Sequence, residues 1–290
     1  MGGGSSAPAP PPSPPTFKNP WRQVSWGTNE RDLQYVKGYQ PQAEEVKHLR
    51  VLLCGPVGAG KSSFVNSVGN VVRGRMTNSA LASTTTSGTS FTKDYKTHRI
   101  PKEGRGNFYP LVFNDVMGLE EGTERGISVE DIKLAMKGHV KEGYKFNPVS
   151  PLTSDDHGYN SSPSPDDRAH VVVFVFSACV SEIKDSVLMK MKAVRDAASN
   201  MGIPQLAIVT KIDEASPETA ESLRNTYKSK YIKKKMTDLS SALGIPLNCI
   251  LPVKNYCEEI SIDDNVDTLI LSCLRLIIDF GDDFINQVYL

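Results

Sequence analysis

No run in this sequence reaches the roughly 18 apolar residues that a membrane-spanning helix requires. The longest candidate, LILSCLRLII at 269–278, is short and carries Arg275, so it reads as a buried helix. Charge of neither sign is in excess, since 33 Lys and Arg balance 33 Asp and Glu. The basic surface that favours nucleic acid is therefore not indicated, and no nucleic-acid partner is expected. A charged region followed by an apolar signal core is missing, and the five cysteines contain no CxxC. Cys54, Cys179 and Cys249 lie in or beside apolar runs, where thiols pack as small hydrophobes. A reducing, cytoplasmic setting is the expectation.

The 290 residues divide by composition. Residues 1–18 hold GGGSS and APAPPPSPP, a flexible stretch and a polyproline-like one, and cannot build a core. A lead-in at 19–45 carries both tryptophans, Trp21 and Trp26. These are expected to pin it to the domain at 46–290, with an aromatic partner patch as the alternative. Strand-like and helix-like runs then alternate. HLRVLLC, FYPLVFNDV, HVVVFVFSA, QLAIVTK and CILPV read as strands, and SFTKDYKTHRI as a half-buried edge or antiparallel strand. Helical patterns cover KSSFVNSVGNVV and roughly 128–140, 183–199, 217–242 and 264–285. Such alternation predicts an α/β fold, a doubly wound, mostly parallel sheet with helices on both faces. Residues 143–168, rich in Pro, Ser, Asp and Asn, read as a mobile surface insertion.

VLLCGPVGAGKSSF at 51–64 fits G-x-x-x-x-G-K-[ST] from Gly55 to Ser62. Gly58 and Gly60 let the backbone N–H groups of the loop, through Val57, Ala59 and Ser63, turn toward a phosphate chain. Lys61 is placed to neutralise the β- and γ-phosphates, and the Ser62 hydroxyl to ligate Mg²⁺. The helix that follows points its positive end at the anion. Downstream, NDVMG puts Asp115 at the tip of an apolar strand, where a carboxylate can hold Mg²⁺ through its water shell. Gly118 follows with an N–H that can sense the γ-phosphate. The loop STTTSGTS at 83–90 offers a further metal-binding hydroxyl, Thr85 or Thr86.

The base is read from QLAIVTKIDEA, where Thr210, Lys211 and Asp213 match [NT]KxD. Two carboxylate oxygens on Asp213 can accept from guanine N1–H and the N2 amine together. Adenine lacks both donors and would leave a buried carboxylate unpaired. The stem of Lys211 can cover the flat base. After the next strand, LPVKNY aligns Pro252-Val253-Lys254 with the SAK triplet of guanine-binding proteins, so Val253 and Lys254 are candidate base contacts. The expected ligands are GTP and GDP, with Mg²⁺.

With PWRQVSW, GPVGAGKSSFVNSV, TKID and PVKNY in order, the chain resembles the interferon-induced protein 44 and 44-like family from about Pro20 onward. That resemblance implies a Ras-like P-loop NTPase fold that binds GTP, a cytoplasmic setting and an antiviral, innate-immune role. Larger members carry an N-terminal TLD-type domain, and functions that depend on it are not implied for this chain. Ras-type GTPases place a water-orienting glutamine directly after DxxG. Leu119 stands there instead, followed by Glu120 and Glu121. The expectation is a GTP-dependent switch or scaffold with slow hydrolysis that depends on self-association. The alternatives are an active GTPase that self-assembles to remodel a target, and an ATP-binding P-loop protein, which TKID disfavours. MGGGSS also fits M-G-x-x-x-[ST], making Gly2 a candidate for N-myristoylation and transient membrane contact; a low-complexity leader or linker is the other reading. Lys228, Lys230, Lys233, Lys234 and Lys235 form either a docking patch or a solvated helix.

Overall fold

The computed structural model describes residues 14–77, 93–122 and 125–290. In chain order these form α1 (Asn29–Gly38), β1 (Leu49–Cys54), α2 (Lys61–Arg73), β2 (Lys96–Pro101), β3 (Phe108–Asp115), α3 (Val129–Met136), β4 (Val171–Ser177), α4 (Asp185–Asn200), β5 (Gln205–Thr210), the short α5 (Ile212–Ala215) and α6 (Pro217–Glu221), α7 (Lys230–Leu243), β6 (Ile250–Pro252) and α8 (Asp264–Tyr289). The sheet order is β2-β3-β1-β4-β5-β6. Among the described strands only the edge pair β2–β3 is antiparallel. β1 has β3 on one side and β4 on the other, so the chain winds in both directions from it. The loop after β1 opens at the switch point where α/β sheets bind ligands.

The continuous apolar strands are buried on both faces, and their two-residue period sorts them into two cores. Leu52 and Cys54 of β1 join Val172, Phe174 and Phe176 of β4 under α3, α4 and α7. Val51 and Leu53 join Val171, Val173 and Val175 under α2 and α8. The run 269–278 lies within α8, where Arg275 pairs with Asp32 of α1 at 2.8 Å. No helix of the described residues is long and apolar enough to cross a membrane.

The expectations for 217–242, for 143–168 and for Cys179 need correction. The pattern over 217–242 is not one helix: it breaks into α6 and α7, and Ser229 caps the second by accepting from the Ile232 N–H at 3.2 Å. Helix α1 was not legible in NERDLQYVKG because few of its residues are apolar. It is held on α8 by polar bonds, Tyr35 to Asp279 at 2.5 Å and Tyr39 to Asp282 at 3.0 Å, besides Asp32–Arg275. The polar composition of 143–168 suggests a mobile insertion, yet the segment straps back onto the domain. Phe146 and Leu152 are buried, Phe146 N–H donates to Lys93 O at 3.0 Å, and Leu152 N–H donates to Asp131 at 2.8 Å. The lead-in packs Trp21 edge-on against Tyr227, with ring centroids 5.3 Å apart, while Arg22 donates to the Ile250 carbonyl at 2.8 Å. Cys179 is exposed rather than packed.

At the far end of the sheet from the switch point, His170 is wholly buried. Its Nδ1 accepts from the Arg50 N–H at 3.0 Å and its Nε2 lies 3.1 Å from the Pro165 carbonyl, a pattern that requires the neutral ring. Burial, with Arg50 and His48 nearby, pushes its pKa down to about 4 despite the Pro165 bond. The unfolded chain therefore binds this proton more readily. His170 contributes stability above its unfolded value near 6.5, and that stability is lost as pH falls toward 4. The loss amounts to about 3 kcal/mol. Denaturant unfolding from pH 7.5 to 4.5 is expected to show this fall, with a flatter slope for His170→Asn. A parent whose stability does not change over that range would contradict it.

Candidate nucleotide-binding site

The loop from Gly55 to Gly60 turns tightly between β1 and α2. A Cβ at Gly55 would lie 2.2 Å from the Val175 carbonyl, so only glycine lets the loop pass over β4. Gly60 caps α2 in the left-handed region, at φ 92°. Val57, Gly58 and Ala59 line a cleft of 1060 Å³ beside the loop, walled also by Leu119, Phe176 and Lys211. Lys61 is buried, and its ammonium donates to the carbonyls of Gly55 and Pro56, both at 3.0 Å. Burial pushes its pKa down, against the pull of Asp115. The Ser62 hydroxyl donates directly to Asp115. Ser63, in the first turn of α2, accepts at its carbonyl from the Ser67 hydroxyl at 2.8 Å.

Close packing brings the Asp115–Gly118 segment to the loop. A Cβ at Gly118 would meet Val57 at 2.5 Å, and the Leu119 N–H donates to Gly55 O at 3.0 Å. Leu119 is turned into the core at 2% exposure, where it can position no water. The loop after it is tied to α4: Lys190 donates to the carbonyls of Glu120, Gly122 and Arg125 at 2.9, 2.7 and 3.1 Å.

At the end of β5 the predicted residues divide. Thr210 is wholly buried, and its hydroxyl is bonded to Ala59 O at 2.6 Å and Phe176 O at 3.0 Å. It braces the phosphate-loop backbone rather than facing a base. Lys211 holds a left-handed φ of 56°, the one non-glycine residue to do so among the described residues. That turn sends Asp213 toward the loop after β6, where its carboxylate stands 3.6 Å from Lys254. Val253 is a correction. Its side chain is buried and its N–H is spent on Val209 O at 2.8 Å, continuing the β5–β6 pairing. The first loop positions beyond that pairing are Lys254 and Asn255. Asn255 reaches Gly60 O at 3.3 Å.

Sequence reasoning missed the supports of this loop. The Tyr256 N–H donates to the Ser67 hydroxyl oxygen at 2.9 Å, and its own hydroxyl donates to Asp267 at 2.6 Å. Glu259 accepts from Lys254 at 2.6 Å. The dipeptide Asn255-Tyr256, in the loop that follows β6, was the available signal. The lysine group is not one patch: Lys233 covers Phe17 and Trp21 at 5.0 and 5.6 Å, Lys234 pairs with Asp238 at 2.6 Å, and Lys235 donates to Val180 O at 2.6 Å. Thr85, Thr86 and Gly2 lie outside the described residues.

A magnesium ion fits the donors present, a serine hydroxyl against a carboxylate beside a phosphate-binding turn. Among the described residues no three His, Cys, Asp or Glu side chains gather as a dedicated metal cage. That suits an ion held chiefly by water and phosphate oxygens.

No family model matches the chain. Curated relatives do. Interferon-induced protein 44 of Pan troglodytes and that of Homo sapiens are each 35% identical over 257 residues, 88% of this chain and 57% of theirs. Interferon-induced protein 44-like of Homo sapiens is 33% identical over 259 residues, with 89% and 57% covered. The chain thus spans a little over half the length of these relatives. Among solved structures, a dimerization-deficient mutant of Toc33 from Arabidopsis thaliana aligns with 91% of this chain and 95% of its own, at TM-score 0.52 and 15% identity. At that identity the likeness shows the fold alone, a mostly parallel α/β sheet with helices on both faces.

Proposed function

The chain belongs to the interferon-induced protein 44 and 44-like family, and from that premise we propose that it is a guanine-nucleotide-binding switch or scaffold of the interferon-induced antiviral response. The observation that carries this reading is the convergence of Lys61, the Ser62–Asp115 pair and Asp213 on the C-terminal ends of β1, β3 and β5. Lys61 leaves two loop carbonyls for the phosphates, the α2 N-terminus adds its partial positive charge, and Asp213 accepts from guanine. Ser62 and Asp115 would hold Mg²⁺, which supplies charge neutralisation at the phosphates. Cytoplasmic residence and any acyl-assisted membrane visits belong to the same reading.

Hydrolysis is slow in this account. Leu119 points into the core, and Lys190 ties down the loop that carries Glu120. A second copy of the chain would have to supply or reposition the group that orients water. Single-turnover GTP hydrolysis is expected on the order of 10⁻³ s⁻¹ or below in dilute protein, rising with protein concentration. Fast turnover independent of concentration would replace the switch with a self-sufficient GTPase.

A further inference from the structure

Asp213 can read guanine only if both of its oxygens are open to the base, yet it has a cation beside it. The Lys254 ammonium stands 3.6 Å from Asp213 Oδ2. An ammonium that closed on this carboxylate would compete with guanine N1–H and the N2 amine for the same lone pairs. Lys254 does not close, because its short bond goes elsewhere, to Glu259 Oε1 at 2.6 Å. Glu259 is fixed in turn. Its other oxygen accepts from the N–H groups of Cys257 at 2.9 Å and Glu258 at 3.2 Å. The loop that carries these residues is anchored by Tyr256, through Ser67 on α2 and Asp267 on α8. Side chains of all three charged residues are only about a quarter exposed, so salt and water screen them incompletely.

Resting on the reading of Asp213 as the guanine acceptor, we propose that Glu259 sets guanine affinity as a positioning residue: it holds the Lys254 ammonium off the carboxylate that reads the base. Glu259 is ionised throughout the working range. Burial alone would raise its pKa, but Lys254 and the loop amides outweigh burial and bring it down to about 2. Burial likewise would lower the Lys254 pKa, and the two carboxylates reverse that. The device is therefore a fixed three-charge arrangement, Asp213⁻, Lys254⁺ and Glu259⁻, with the cation placed unequally. Lys254 near Asp213 offsets part of the charge of the two half-buried carboxylates, while the unequal distances leave the hydrogen-bonding lone pairs of Asp213 to the ligand.

The test is GDP affinity, with Mg²⁺, across four proteins: the parent, Glu259→Gln, Lys254→Met and the double variant. Glu259→Gln is isosteric and can still accept from the Cys257 and Glu258 amides, so the loop keeps its shape. It is expected to weaken GDP binding about tenfold, because Lys254 moves onto Asp213. Lys254→Met removes the competitor and tightens binding. The double variant recovers most of the loss, which a merely structural role for Glu259 would not allow. The deficit of Glu259→Gln also narrows as KCl is raised, since the Lys254–Asp213 contact is electrostatic. The proposal is overturned if Glu259→Gln binds GDP as tightly as the parent, or if the double variant is as weak as Glu259→Gln. A parent indifferent to Asp213→Ala would instead remove the guanine reading itself, and this proposal with it.

Discussion

Asp213→Asn is expected to lose GDP and to gain xanthosine diphosphate. The carboxylate offers two acceptors in the geometry that guanine N1–H and the N2 amine require. An amide offers one acceptor and one donor, which matches the N1–H and 2-oxo edge of xanthine instead. Sites built around buried polar pairs reject the mismatched partner strongly, and a loss of about 100-fold or more in GDP affinity is the expected scale. Asp213→Ala should lose GDP to a similar degree and gain nothing. Titration of each variant with both diphosphates checks this. Unchanged GDP binding in both would place base recognition elsewhere in the loops. The structure adds a reason to expect a clean switch: Asp213 sits just past the left-handed turn at Lys211, and Lys254 is bonded chiefly to Glu259. The base-reading position thus follows from that backbone turn, with the Lys254 ammonium held mainly by Glu259 rather than by Asp213.

The second large effect belongs to Lys61. Its ammonium is enclosed by the phosphate loop and held by two carbonyls. A phosphate oxygen that takes over this cation gains a charge-assisted bond in a dry setting. Lys61→Ala removes that bond, while Gly55 O and Pro56 O keep the N–H donors of Leu119 and Ala59, so the loop holds its shape. Nucleotide affinity is expected to fall about 100-fold, for GTP more than for GDP because the cation spans the β- and γ-phosphates. Lys61→Arg should not rescue it, since the planar guanidinium does not fit a pocket shaped around a compact ammonium. Calorimetric titration of the two variants checks both statements. An arginine variant with parental affinity would show that charge alone suffices and that the enclosure of Lys61 is incidental.

The phosphate loop was legible because its physics is local. Gly58, Gly60, Lys61 and Ser62 are consecutive or nearly so, and the strand before them and the helix after them announce themselves by period. Asp115 and Asp213 were legible for a related reason: Asp115 ends the apolar strand β3, and Asp213 follows the end of the apolar strand β5 by three residues. What was not legible depends on contacts between distant segments. Thr210 matches a base-reading motif yet braces Ala59, because β5 and the phosphate loop happen to meet at that residue. Val253 aligns with a base-contacting triplet yet continues the sheet by one residue, since strand ends cannot be placed that finely by pattern. Helix α1 turns only Leu33 and Val36 into the core as apolar side chains, and carboxylate, guanidinium and phenol groups make its bonds to α8. Phe146 and Leu152 look isolated in a polar stretch, although two buried side chains are enough to strap it down. Glu259 was invisible for the same reason: an acidic residue in a loop looks solvated until its partner Lys254 is seen beside Asp213.

The most direct measurement is calorimetric titration of the purified, nucleotide-stripped chain with GDP and, separately, ADP in the presence of Mg²⁺. One GDP per chain is expected to bind saturably, with ADP weaker by about 100-fold or more, because adenine presents neither donor that Asp213 needs. Equal affinity for the two diphosphates, or no saturable binding of GDP, would contradict it.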